Sequence, residues 1–236
     1  MKLKKRLINI GHAFTRVELL AVLGVLALLA AVTWPALASP RAHSQRAECV
    51  NNLRLIGRAL LIWGSDHEDQ TPWQLSPPDG TRNDVRGGNV WYHFSYLSNQ
   101  LVSPRILACP ADPRSYKKVA SDWGLLPGGF RNLAYRDYAV SYFLNMHTSV
   151  NLPLAPVAGD YNLVVAMKVS CSVVSAGAYS VSTNTAWTNS VHGLTGNLLL
   201  TDGQVLMSSS AGLRAAVAQR ASLPVQLEQT HVLTPN

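Results

Sequence analysis

His192 and Asp202 are the two residues whose types and spacing most suggest acid–base chemistry. Nine residues lie between them, and Gly203 follows the aspartate. A histidine beside a carboxylate can activate a serine, and the chain contains many serines. However, no G-x-S-x-G elbow is present, and an aspartate before a glycine is explained by turn geometry alone. The sequence therefore predicts no enzyme, and it leaves His192 either as a brace beside the turn or as a metal ligand.

The acidic segment of residues 66–69, Asp-His-Glu-Asp, offers oxygen ligands for a hard cation. It lacks the ligand count and spacing of an EF-hand loop, and it lacks the second histidine of a zinc-peptidase helix. We therefore expect a solvated acidic loop and no cofactor. A divalent cation such as calcium is the alternative.

The three cysteines, Cys49, Cys109 and Cys171, permit at most one disulfide within the chain, since their number is odd. No C-x-x-C motif is present, and no cysteines and histidines are clustered with zinc spacing. Cysteine usage is thus a weak signal for metal binding and a better one for a single disulfide.

An apolar stretch from Leu19 to Pro40 contains no charged residue over 22 positions. As a helix it would be about 33 Å long, enough to cross a hydrocarbon core of about 30 Å. The sequence therefore predicts a membrane-spanning segment. Glu18 lies at its edge, where an unpaired carboxylate is costly, so we predict a functional role for Glu18.

The helix is expected to continue beyond Pro35. Apolar residues recur there at alternating steps of four and three, at Cys49, Leu53, Ile56, Leu60 and Trp63. This spacing predicts one buried stripe on an amphipathic helix that lies on a globular domain. Pro35 is expected to bend the helix, and Gly64 with Ser65 to end it.

The segment 198–207 predicts a β-hairpin, because Asp202 and Gly203 tolerate the positive φ angles of a type I′ turn between two apolar runs. Further strands are predicted at 106–108, 138–145, 163–167 and 172–182, and a short helix at 213–220. These elements must position His192 and the cysteines.

Residues 13–20, AFTRVELL, resemble the processing junction of type IV prepilins and type II secretion pseudopilins. In that family a basic leader is cut before a phenylalanine. A glutamate lies four residues after that phenylalanine, and a proline lies 21 residues after it. Phe14, Glu18 and Pro35 stand at these spacings. The resemblance implies that a prepilin peptidase cuts between Ala13 and Phe14 and methylates the new amino group. It also implies that Glu18 and Pro35 serve fibre assembly.

The spacing of His192, Asp202 and Gly203 is similar to an H-x9-DG motif in a subfamily of prepilin-like proteins from planctomycetes and verrucomicrobia. Segments similar to 49–54, CVNNLR, and 109–112, CPAD, occur in the same subfamily. Because Cys49 and Cys109 both lie in these motif-like segments, we predict a disulfide between them.

The resemblance implies an α+β fold in which a long N-terminal helix, membrane-spanning in its first half, packs on an antiparallel β-sheet as in pilins. The expected segments are a leader (1–13), a transmembrane and fibre-core half of the helix (14–38), its amphipathic half (39–65) and an extracytoplasmic α+β domain (66–236).

The implied function is a structural subunit of a type IV pilus-like or type II secretion fibre. The implied location is the inner membrane, as a single-pass protein with a cytoplasmic N-terminus, and the fibre after assembly. The expected partners are the prepilin peptidase and methyltransferase, other pilin or pseudopilin subunits, and the membrane. Nucleic acid is not expected, because loss of the four basic residues of 1–13 lowers the net charge from +7 to 7 − 4 = +3.

The alternative is a secreted or anchored binding domain, for carbohydrate or for another envelope protein. In that case the N-terminal segment is only an anchor or a signal peptide, and Ala36-Leu37-Ala38 supplies an A-x-A cleavage pattern. The mature N-terminus separates the two hypotheses, since it is Phe14 for a pilin-like subunit and Ser39 for a signal-peptide product.

Overall fold

The structure, a computed structural model, describes residues 15–152, 154–165, 168–174, 177–182, 184–221 and 231–235, without the side chains of 32–40 and 219–221. The predicted cleavage residues Ala13 and Phe14 lie outside the described residues, as does the side chain of Pro35. The chain divides into two compact units, Met1–His43 and Ser44–Asn236.

Helix α1 runs from Arg16 to Ser65, a continuous element of 50 residues that begins in the first unit. A capping box closes its N-terminus. Glu18 Oε2 accepts hydrogen bonds from Thr15 N and Thr15 Oγ1, both 2.8 Å, and Thr15 Oγ1 accepts one from Glu18 N at 3.2 Å. These bonds satisfy amide groups that the first helical turn leaves unpaired. The start of α1 is therefore specified locally, by a T-x-x-E sequence.

No helix among the described residues is both long enough and apolar enough to cross a membrane. The structure thus corrects two predictions, the membrane-spanning first half of the helix and the single-pass location in the inner membrane.

In the second unit, the remainder of α1 buries the stripe predicted from the sequence. Its five members, Cys49, Leu53, Ile56, Leu60 and Trp63, are at most 3% exposed. Gly57 lies at a close approach to the sheet, because a Cβ there would lie 2.7 Å from Leu199 Cδ1 and 3.4 Å from Gly203 Cα. A glycine therefore lets the helix pack closely on the strands.

The acidic segment 66–69 terminates α1. Asp69 N donates to Gly64 O at 2.9 Å, and Glu68 and Asp69 adopt φ angles of 56° and 57°. The His67 ring stacks on Trp63 with ring centroids 3.6 Å apart. Among the described residues, two groups of metal-ligating side chains converge, and neither includes this segment. Its geometry is that of a helix end, at the stop predicted from Gly64 and Ser65.

The remaining elements are short. The helices are α2 (Val90–Ser95) and α3 (Ser210–Ala221), with 3₁₀ helices at Pro104–Leu107 and Arg136–Ala139. The strands are β1 (Tyr142–Asn145), β2 (Pro156–Asp160), β3 (Leu163–Val164), β4 (Lys168–Val169), β5 (Ala178–Ser180), β6 (Ala186–Trp187), β7 (Thr195–Leu200), β8 (Val205–Ser209) and β9 (His231–Leu233).

Seven strands form one antiparallel sheet in the order β4-β5-β9-β1-β2-β7-β8, and β3 pairs with β6 in a second sheet. Strand β9, close to the C-terminus, lies between β5 and β1. The α1 stripe belongs to the same buried cluster as Tyr142, Leu144 and Leu199 of the sheet. The fold is thus mixed α/β with a seven-stranded antiparallel sheet, and the predicted fold class, built on a membrane-spanning helix, is wrong.

Strands β7 and β8 form the predicted hairpin, with Leu199 opposite Val205. Its turn differs from the prediction. Gly203 has a φ of 83°. Asp202 is described by the structure but does not have a positive φ. Gly203 N donates to Leu200 O at 3.0 Å and Leu200 N to Gln204 O at 2.9 Å. This is the pattern of a three-residue loop, a type I turn followed by a glycine bulge, and not of a two-residue type I′ turn.

Other local predictions are confirmed in part. The strands predicted at 138–145, 163–167 and 172–182 shrink to β1, β3 and β5, and the helix predicted at 213–220 lies within α3. The strand predicted at 106–108 is wrong. Ser103 accepts a hydrogen bond from Arg105 N there, and Pro104 begins a 3₁₀ helix. A polar N-cap followed by proline favours a helical turn here, and this preference outweighs the strand that the following apolar run would favour.

A disulfide joins Cys49 to Cys109, the pair predicted from the sequence, with their Cα atoms 5.1 Å apart. It connects α1 to the turn after the first 3₁₀ helix across a sequence separation of 60 residues. Closing a loop of that length stabilises the fold by about 4 kcal/mol in the chain-entropy account. Cys171 is left as a buried free thiol.

Candidate functional site

The three motif-like segments of the sequence meet at the disulfide. Cys49 comes from α1, Cys109 from the CPAD turn, and His192 from the loop between β6 and β7. His192 Nε2 lies 3.8 Å from Cys109 Sγ. Residues that are far apart in the sequence therefore form one buried polar cluster, which we call the disulfide cluster and which also includes Arg46 and Asp160.

Asp160 is the buried acid of the disulfide cluster. It ends β2, and its Oδ2 accepts a hydrogen bond from Asn197 N at 2.7 Å and lies 3.6 Å from His192 Nε2. Burial raises the pKa of Asp160 to about 7. Burial, with the positive charge of Arg46, lowers the pKa of His192 to about 4. Burial thus favours the neutral form of both groups, which weakens their contact as an ion pair.

Arg46 connects the cluster to β7. Its guanidinium donates to Thr195 Oγ1 at 3.0 Å, and Thr195 Oγ1 donates to His192 O at 2.6 Å. The loop that carries His192 is thus tied to α1 by two successive hydrogen bonds. The positive charge of Arg46 also partly offsets the effect of burial on the Asp160 carboxyl.

Asp112, the last residue of the CPAD segment, is fixed by a second network. It forms an ion pair with Arg114 at 2.7 Å and accepts hydrogen bonds from Ser141 Oγ at 2.6 Å and Tyr161 OH at 3.1 Å. Burial alone would raise the pKa of Asp112, but the bonds from Arg114 and Ser141 outweigh it and lower that pKa. The carboxylate is fully paired, as a structural buried charge must be.

His192 and Asp202 are not brought together. His192 precedes β7 and Asp202 follows it, so the six residues of that strand hold them about 20 Å apart. The exposed Asp202 accepts a hydrogen bond from Gln204 N at 2.9 Å, within its own turn. Among the described residues, the His192 ring contacts a disulfide sulfur and a carboxylate but no hydroxyl group. This arrangement suits a brace, and it lacks the hydrogen-bonded nucleophile that covalent catalysis requires.

Two groups of side chains in the described part of the chain have the geometry of metal ligands, Cys49 with Cys109 and His192, and His147 with Cys171 and His231. The first group has no thiolate to offer while its sulfurs are bonded to each other. The second keeps its thiol. No motif in the sequence indicates this second group, since its members are separated by 24 residues or more.

A pocket of about 510 Å³ lies beside α2. It is lined by three arginines and three aromatic residues, Arg86, Arg131, Arg136, Trp91, Tyr92 and Tyr96. The guanidinium of Arg136 lies 4.5 Å from the Trp91 ring centroid, and that of Arg86 lies 4.4 Å from the Tyr92 centroid. Asp84 pairs with Arg86 at 3.0 Å, whereas Arg131 and Arg136 form no ion pair with any described residue.

The chain matches no protein-family model, no curated protein and no solved structure.

Proposed function

We propose that this chain is a structural subunit that assembles with copies of itself into a pilus-like or pseudopilus-like fibre, through residues 15–31 of α1. One observation carries the proposal. Nine large apolar side chains between Val17 and Leu29 are each 48% to 74% exposed. They lie at 17, 19, 20, 22, 23, 25, 26, 28 and 29, so they surround the helix and do not form one stripe.

An apolar surface of this extent favours association. Removing the exposed half of each of these side chains from water contributes roughly 1 kcal/mol per residue, or on the order of 9 kcal/mol for the set. A helix that is apolar on every side can contact several neighbours at once. A second copy supplies an equally apolar helix, and contacts between different faces of identical helices generate an open helical array when the rotation between neighbours does not close a ring. These properties favour a fibre over a closed dimer.

Glu18 is the charged group of this assembly surface. In the proposal, a prepilin peptidase cuts before Phe14, and the new amino group of one subunit pairs with the Glu18 carboxylate of its neighbour. Such a pair offsets the cost of burying both charges among apolar side chains. The N-terminal sequence that resembles prepilins supports this step.

The test is the mature N-terminus of the protein, measured by mass spectrometry on material sheared from producing cells. The proposal expects a chain that begins at Phe14 and carries a methylated amino group. An N-terminus at Ser39 removes the assembly surface entirely and contradicts the proposal.

A second candidate function is a binding domain for an acidic ligand, and the pocket beside α2 favours it. Arg131 and Arg136 line that pocket and form no ion pair with an acidic side chain among the described residues. Arginine recognises carboxylate and sulfate groups through paired hydrogen bonds, and the neighbouring Trp91 and Tyr96 offer apolar area to a sugar ring. An acidic oligosaccharide combines these two features.

Calorimetric titration with a heparin-derived hexasaccharide tests this candidate. Loss of one charge-assisted contact costs about 1.5 to 3 kcal/mol, so Arg131→Ala or Arg136→Ala should weaken binding by about tenfold or more. Arg105→Ala, at an exposed arginine that does not line the pocket, is the control. Equal losses in all three variants would indicate a nonspecific charge effect and contradict the candidate.

A further inference from the structure

We propose that His147, Cys171 and His231 bind a Zn²⁺ ion, a site that is independent of fibre assembly. The ligand atoms would be His147 Nε2, His231 Nδ1 and Cys171 Sγ. His147 Nε2 lies 3.0 Å from His231 Nδ1 and 3.2 Å from Cys171 Sγ. All three atoms lie within 4.8 Å of one another.

These distances fit tetrahedral coordination of an ion after only a small movement of the ligand side chains. Zinc bonds of about 2.0 Å to nitrogen and 2.3 Å to sulfur place two nitrogens about 3.3 Å apart and a nitrogen and a sulfur about 3.6 Å apart. The two contacts are a few tenths of an ångström shorter, so small rotations of the side chains open the site.

The sheet holds the three ligands in place. His231 begins β9, where it pairs with Ser180 of β5, and its carbonyl accepts a hydrogen bond from Met146 N at 2.9 Å. His147 follows β1, and its amide donates to Asn145 Oδ1 at 3.2 Å. The thiol enters from the residues after β4, at the edge of the same sheet. The ligands therefore lie on or beside three strands of one sheet, and ordering them costs little on binding.

The chemistry of the ligands selects the metal. Two imidazoles and one thiolate are borderline-soft ligands, which suit zinc and neighbouring late transition metals, whereas calcium and magnesium require oxygen ligands. The set therefore excludes calcium here. Three protein ligands leave one position on a tetrahedral ion for water or another molecule.

Burial supports a specific site. Cys171 and His231 are 9% and 6% exposed, and His147 is half-buried. A buried thiolate pairs favourably with a cation, and metal binding removes its proton. The exposed part of His147 gives an ion a route to the site.

The full chain with its disulfide intact is tested in the absence of reductant, first stripped of metal and then given Zn²⁺. We expect one zinc per chain after removal of excess metal, and an unfolding midpoint that rises with zinc and falls with chelator. With Co²⁺ as a probe, we expect a thiolate-to-cobalt charge-transfer band. Cys171→Ser should abolish that band, and His147→Gln and His231→Gln should weaken zinc binding at least tenfold.

His192→Gln is the matched control, since His192 also lies beside a cysteine sulfur, but one that is held in a disulfide. This variant should bind zinc like the wild type. Circular dichroism establishes that each variant is folded. Failure of the wild-type chain to retain zinc, or retention of zinc and the cobalt band by Cys171→Ser, would overturn the site. Neither result bears on fibre assembly, which is measured separately.

Discussion

Glu18 has a local role in addition to the one proposed for it between subunits. Its carboxylate closes the capping box with Thr15, and the hydrogen bond from the Thr15 amide holds the pKa of Glu18 below its usual value. The two roles require different properties. A capping box requires an acceptor oxygen, which glutamine also supplies, whereas an ion pair with a neighbour requires the negative charge.

Glu18→Gln separates the two roles. We expect the variant to keep its helix content, measured by circular dichroism, but to be nearly absent from sheared fibres. Thr15→Ala is the control, because it weakens the cap by about 1 kcal/mol and keeps the charge. It should assemble normally. A fibre yield from Glu18→Gln equal to that of the wild type would show that the charge is not used.

Asp160 makes stability depend on pH. Its pKa is about 7 in the folded chain, through burial, and about 3.9 in an unfolded one. The folded state therefore binds more protons than the unfolded state between about pH 4 and 7, and the free energy of unfolding falls as pH rises through that range. His192 acts in the opposite direction between about pH 4 and 6.5, because its folded pKa is lowered to about 4.

Asp160→Asn removes the contribution of the acid and keeps an acceptor for Asn197 N. Relative to the wild type, the variant should be close to neutral near pH 4 and more stable at pH 8, by up to roughly 4 kcal/mol. Denaturant unfolding at the two pH values measures the difference. If the variant and the wild type differ in free energy of unfolding by the same amount at both pH values, Asp160 is not the titrating group.

At the scale of elements, the β7–β8 hairpin depends on one glycine. Gly203 has a φ of 83°, where a side chain is strained, and its Cα faces α1 at Gly57. The space around Gly203 is not tight, since a Cβ there would lie 3.5 Å from Leu61 Cδ1. Backbone conformation, and not a steric clash, is therefore what requires glycine at this position.

Gly203→Val should lower the free energy of unfolding by about 1 to 2 kcal/mol or more, because a β-branched residue resists positive φ. Gly203→Asn should recover part of the loss, since asparagine tolerates the left-handed region. Gln204→Val places the same side chain at the next, exposed position and serves as the control. Equal stability of the two valine variants in denaturant titration would refute the requirement.

The elements that the sequence predicted well are those with a local cause. The stripe of α1, its stop at Gly64 and the hairpin at Asp202 each follow from spacing or turn chemistry within a few residues. The turn type does not follow from the sequence, because a glycine after an aspartate fits both a type I′ turn and a type I turn with a bulge. The 3₁₀ helix after Ser103 does not follow either, because the apolar run after Pro104 also fits a strand.

At the scale of the whole molecule, long-range pairing decides which residues meet. Strand β9 inserts between β5 and β1, and this brings His231 to His147, which is 84 residues earlier. No spacing of residues in the sequence predicts that β9 pairs with these two strands. The disulfide was accessible from the sequence because both cysteines lie in motif-like segments, whereas Asp160 and Arg46 carried no motif and their place beside His192 could not be predicted.

The central claim is that residues 15–31 of α1 are an assembly surface. It is tested most directly by replacing three of their exposed apolar residues in one variant, Leu20→Gln, Leu23→Gln and Leu28→Gln. A matched variant replaces three exposed apolar residues of the second unit by glutamine, at Val85, Val102 and Leu126, which are 89%, 93% and 78% exposed. Glutamine is a good helix former, so the first variant keeps its helix.

The measurement is electron microscopy and sedimentation of each protein, purified from producing cells in detergent and then freed of it. The wild type and the second-unit variant should form fibres with a regular subunit repeat, and the α1 variant should remain as small particles. Regular fibres from the α1 variant, or only small particles or irregular aggregates from the wild type, would contradict the claim.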